Sequence, residues 1–61
     1  MNLAIRQTSL GWRVYEIDED RFGVRAHVCR DVAGQILSFT NEESARAYIE
    51  WLPDATEIDF P

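Results

Sequence analysis

His27 and Cys29 stand two residues apart in a stretch where apolar residues alternate, so both would project from the same side of a strand. With Asp31 close behind, they are the side chains best suited to hold a metal or pass a proton. A structural zinc site takes four such ligands, and one His with one Cys leaves the set short. A Cys–His nucleophile needs the two side chains within hydrogen-bond reach. Neighbours on one strand face stand too far apart for that. The other reactive side chains are carboxylates, eleven in all. Glu16, Asp18, Glu19 and Asp20 crowd a polar turn, whereas paired acid catalysis needs two carboxylates flanking a cleft. No Gly-rich phosphate loop and no GxSxG motif occurs. The sequence therefore predicts no enzyme, no metal and no cofactor.

Sixty-one residues set the scale of what can position any site: one domain, 1–61. A chain of this size buries only about 60% of the surface its unfolded form exposes. Such domains usually draw extra stability from disulfides, metals or association. Cys29 is the single cysteine, so no disulfide forms within the chain, and a lone thiol suits a reducing, cytoplasmic setting. Good packing and association are what remain, and a tendency to form a homodimer is expected. No run approaches the 20 or so apolar residues of a membrane span. The opening Met1–Arg6 stretch lacks the basic end and apolar core of a signal peptide.

The chain reads as strands followed by one helix. Leu3 to Leu10 suggests a short edge strand, broken at Gly11. Trp12 to Ile17 alternates, with Trp12 and Val14 on one face and Arg13 and Tyr15 on the other. After the Asp18-Glu19-Asp20 turn, Phe22, Val24, Ala26 and Val28 share a face opposite Arg25, His27 and Cys29. Gln35 to Phe39 completes the meander. The period then changes. Thr40-Asn41-Glu42-Glu43 matches a capping box, with Thr40 accepting from the Glu43 N–H. Ala45, Tyr48, Ile49 and Leu52 follow at helical spacing until Pro53 stops the helix. Residues 54–61 read as a last short strand or a loose acidic tail. The fold class is α+β: a three- or four-stranded antiparallel sheet with one helix packed on one face. The helix stripe would meet Trp12, Val14, Phe22, Val24, Ala26, Val28, Leu37 and Phe39. A one-residue slip of register would exchange the two sheet faces.

Charge is where the sequence points to a function. The net charge is −5, and its distribution is uneven. The basic residues, all arginine, fall mainly on the strands; the acids gather in one turn, on the helix and in the tail. Glu42, Glu43 and Glu50 on the helix, followed by Asp54, Glu57 and Asp59, form an acidic surface. Trp51 lies on the flank of the apolar stripe as an aromatic anchor among them. Asp18, Glu19 and Asp20 form a second patch. Such a field draws in a protein with a basic surface, for instance a nucleic-acid-binding groove. The alternative is nucleic acid bound on an open sheet face carrying Arg13, Tyr15, Arg25 and His27 together, basic residues interleaved with an aromatic. The overall negative charge disfavours it, because phosphate binding is driven by positive charge.

Two family resemblances follow from particular segments. Ser38-Phe39-Thr40-Asn41-Glu42-Glu43-Ser44-Ala45, with Tyr48-Ile49 beyond, resembles the arm-binding amino-terminal domain of phage integrases. Asp18-Glu19-Asp20, the strand Val24 to Val28 and Glu42-Glu43 occur in the order seen in HicB-type antitoxins. Each covers about residues 12–52, and both imply a sheet with one helix in a protein of mobile elements. In size and charge the chain is also similar to small phage-encoded inhibitors such as anti-CRISPR proteins, which implies an inhibitor or antagonist that occupies a basic surface.

Overall fold

The computed structural model describes all residues from Met1 to Pro61. Its elements are β1 (Asn2–Thr8), β2 (Gly11–Asp20), β3 (Gly23–Val28), α1 (Glu42–Trp51) and β4 (Thr56–Glu57). The strands form one sheet in the order β3-β2-β1-β4. The fold is α+β, with one helix on one face of a four-stranded sheet. Two pairings are antiparallel, and the third, β1 with β4, is parallel. Parallel neighbours arise here because α1 carries the chain from the β3 edge to the opposite edge, passing over the two central strands.

The first segment is therefore not an edge strand. Because β4 adds on outside it, β1 is interior, and Leu3 and Ala4 are fully buried. The core between sheet and helix is Leu3 and Val14 against Ala45 and Ile49, with Ile5, Trp12, Cys29, Phe39, Tyr48, Leu52 and Ala55 packed around it. The expected helix stripe is the one that packs. Gln35 to Phe39 does not form a strand. It makes only isolated bridges, Trp12 to Phe39 and Arg30 to Ile36. Phe39 is held to Trp12 by reciprocal backbone bonds of 2.8 Å, which brings its ring against Tyr48.

The helix begins one residue later than the capping box implied. Asn41 is the cap, and its side chain accepts from the Ser44 N–H at 2.8 Å. Glu42 and Glu43 thereby occupy the first turn, where the helix dipole favours negative charge. The helix closes at Leu52, ahead of Pro53 as expected.

The larger correction concerns β3. A two-residue turn, Arg21-Phe22, links Asp20 to its partner Gly23. That turn fixes the register, and side chains directly opposite in an antiparallel pair share a face. Val24, Ala26 and Val28 consequently stand opposite Glu19, Ile17 and Tyr15, on the face away from the helix. Phe22, at the turn, is 78% exposed and Val24 49%. Neither they nor Ala26 belongs to the helix-covered core. Trp12 and Val14 do.

Candidate functional site

The acidic residues fall into two groups according to their partners. Arg46, one helical turn from Glu42, donates from Nη2 to that carboxylate at 2.8 Å. Its Nε reaches across to both oxygens of Glu57 at 3.0 and 3.1 Å. Each bond stabilises the charged guanidinium, and together they raise its pKa, Glu57 contributing most. Glu42 and Glu57 thus share one counter-charge within the molecule, in a clasp that ties α1 to β4.

The second group has no such counter-charge. Glu43 and Glu50 lie seven residues apart on the outward side of α1, about 10 Å along its axis. No ion pair reaches them, nor Asp54 or Asp59. Trp51 is 77% exposed, far more than a residue covering the core would be. No basic residue occupies the last turn of α1. Glu50 and Asp54 therefore stand beside the negative end of the helix dipole, where cations are the stabilising choice. Their placement works against helix stability.

The second patch lies at the same end of the fold. The Met1 ammonium donates to the Asp54 carbonyl at 2.7 Å, and β1, just beyond, pairs Leu3 with Glu16 of β2. The helix C-terminus and the far half of β2 thus share one end of the sheet. Within that patch, Asp20 Oδ1 accepts from the Phe22 N–H at 2.7 Å and shapes the turn. Asp18 Oδ2 lies 3.5 Å from His27 Nε2. Glu19 points to the opposite face, because it pairs with Val24.

The expected basic platform is not brought together. Arg13 and Tyr15 lie on the open face, whereas Arg25 and His27 pair with Asp18 and Glu16 and lie on the helix side. What Arg13 and Tyr15 meet instead is a cluster that sequence reading missed. Arg6 stands directly opposite Arg13 across β1 and β2. The chain's end folds over this face: the Phe60 ring lies 5.2 Å from that of Tyr15, edge to face, and 5.0 Å from the Arg6 guanidinium. Arg13 Nε is shut from solvent without a hydrogen-bond partner. The tail is thus neither loose nor only a strand. Its alternation of acidic and apolar residues was the one signal that it packs.

Cys29 and His27 share the helix-side face, as their spacing implied. Cys29 is half-buried beside Glu16; burial foremost, and then the Glu16 charge, push its thiol pKa up. Asp31 is occupied in a turn, accepting from the Ala33 and Gln35 N–H groups. No helix is long and apolar enough to cross a membrane. Comparison with known proteins gives no match: no family model, curated protein or solved structure is similar to this chain.

Proposed function

We propose that this chain is a non-enzymatic binding module that docks, through Trp51 and the carboxylates around it, onto a basic surface of another protein. It would act there as an inhibitor or antagonist, in the manner of an antitoxin or an anti-CRISPR protein, by occupying a site that otherwise receives nucleic acid. The observation that carries this reading is the exposed Trp51 between Glu50 and Asp54, at a helix end where acid costs stability. A large aromatic left in water and carboxylates set against a dipole both gain from a cationic partner, through burial and through charge. Glu43 extends that surface along the helix, Asp59 lies in the same acidic segment beyond it, and Asp18 and Asp20 lie at the same end of the fold. Glu42 and Glu57, already held by Arg46, contribute less. A cytoplasmic setting agrees with the unpaired thiol of Cys29.

The test is capture of a partner by the tagged chain at low and at high salt, followed by the Glu43→Arg plus Glu50→Arg and Trp51→Ala variants. Capture that weakens with salt and is lost in both variants supports the reading, as does displacement of nucleic acid from the captured protein. Capture indifferent to these changes opposes it.

A second reading rests on the open face, where Arg6, Arg13, Tyr15 and Phe60 gather without a carboxylate partner. Nucleic acid would meet there the outer side of the Phe60 ring and the Arg6 guanidinium beside it, Tyr15 being already packed against that ring. Arg25 and His27 are not part of that surface. A mobility shift at low salt, abolished by Arg6→Ala plus Arg13→Ala, would favour it.

A further inference from the structure

The outer edge of β3 has no strand beside it. In the pairing of β2 with β3, Cys29 donates its N–H to the Val14 carbonyl at 2.9 Å. Hydrogen-bonded and non-hydrogen-bonded pairs alternate along an antiparallel ladder. The backbone groups of Gly23, Arg25 and His27 therefore face β2, and those of Val24, Ala26 and Val28 face outward. The strand carries no proline, and its register runs unbroken from Asp20–Gly23 to Tyr15–Val28. Natural edges are usually blunted by proline, bulges, a covering segment or charged side chains. Of these β3 has only the charge of Arg25, which lies on one face of the strand. Three of the exposed large apolar residues are spread along its length and beyond: Phe22 before the strand, Val24 within it and Val32 after it.

We infer that the β3 edge pairs with the β3 edge of a second copy, antiparallel about a two-fold axis at Ala26, to give a continuous eight-stranded sheet. The occupant follows from the pairing chemistry. With Ala26 opposite the second copy's Ala26, Val24 meets the second copy's Val28 twice over, and the outward N–H and C=O groups of all three residues find partners. On the other face Arg25 stands opposite the second copy's His27. The row across the joined sheets then reads Glu16, His27, the second copy's Arg25 and its Asp18, with acid outside and base within. Shifting the axis to Arg25 would set two guanidinium groups face to face, which is destabilising. Shifting it to His27 would oppose Val24 to Arg30, whose guanidinium already donates to the Gly34 carbonyl at 2.9 Å. At either end, Phe22 of one copy approaches the Arg30–Val32 segment of the other, so exposed apolar side chains gain cover. Only six of the 61 residues are buried in the single chain, and added burial of this kind is what a domain of this size lacks. Of the acidic docking surface the dimer row uses only Asp18; Glu43, Glu50, Trp51 and Asp54 lie on the helix and just beyond it and take no part.

Amide hydrogen exchange and sedimentation of the intact chain test it together. At high concentration the expected mass is twice the 7.1 kDa of the monomer. The Val24, Ala26 and Val28 amides should be protected at that concentration and lose their protection on dilution. Ala26→Pro removes only an outward N–H, so the β2–β3 ladder should survive while the dimer is lost. Ala26→Cys combined with Cys29→Ser should oxidise to a covalent dimer, because opposed Cα atoms about 5.5 Å apart lie within disulfide range. Monomeric sedimentation at every concentration overturns the proposal. So does a dimer whose three outward amides stay unprotected, or one that a folded Ala26→Pro variant forms equally well.

Discussion

Arg46 Nε sits within hydrogen-bond distance of both carboxylate oxygens of Glu57, so a helix side chain and a two-residue strand are joined across eleven positions of sequence. The same guanidinium takes up Glu42. This clasp separates acids that hold the fold together from acids left free for something else. Charge reversal at Glu57 should loosen β4. Charge reversal at Glu50 should leave the fold intact.

Glu50→Lys is expected to weaken capture of a basic partner and to stabilise the protein at the same time. A cation replaces an anion at the negative end of α1, which is worth about 0.3–1 kcal/mol at low ionic strength. Thermal melts beside binding measurements would register the opposite signs. A variant that loses both stability and binding would mean that Glu50 is structural.

Asn41→Ala should cost about 1 kcal/mol, because the Ser44 N–H loses the side-chain oxygen that caps it. Thr40→Ala should stay within about 0.5 kcal/mol, as an exposed substitution outside the cap. Urea denaturation of the two variants measures the difference and distinguishes the observed cap from the one the sequence motif implied.

Phe60→Ala removes the edge contact to Tyr15 and the stacking on Arg6. An aromatic pair of this kind contributes about 0.5–1.5 kcal/mol beyond the area it buries. The midpoint of unfolding should fall, and the amides of β1 should exchange faster as the open face loses its cover.

Gly11 adopts φ 115°, and a Cβ there would meet the Phe39 carbonyl oxygen at 2.9 Å. Gly11→Ala is expected to destabilise by more than about 1 kcal/mol, through both backbone strain and displacement of the Trp12–Phe39 bridge. Near-ultraviolet circular dichroism in a Trp51→Phe background, where Trp12 is the remaining tryptophan, would report the displacement.

The Cys29 thiol has a raised pKa in the folded chain. The unfolded thiol loses its proton first, at about pH 8.5. Its contribution to stability is therefore complete below that pH and declines as pH rises through the folded value. Cys29→Ser should flatten the alkaline slope of the unfolding free energy. Glu16→Gln should speed alkylation of Cys29 at fixed pH by removing a negative neighbour.

Two of the strands and the helix were legible in the residues, whereas Asp18-Glu19-Asp20, expected as a turn, ends β2, and Gln35 to Phe39 makes no strand. Alternation over Trp12 to Ile17 and Phe22 to Cys29, and the helical spacing of Ala45, Tyr48, Ile49 and Leu52 before Pro53, determined two strands and a helix, because periodicity records which side chains leave water. The exposure of Trp51 was legible too, from its angle off the apolar stripe. Partnership across the chain was not. Whether Val24 or Arg25 faces the helix depends on the parity of one two-residue turn. That Arg46 engages Glu57, that Arg6 opposes Arg13, and that Phe60 returns to cover Tyr15 depend on where β4 docks. Local propensity says which stretches are strands, but only the closed sheet decides which strands are neighbours, and neighbours decide which charges remain free.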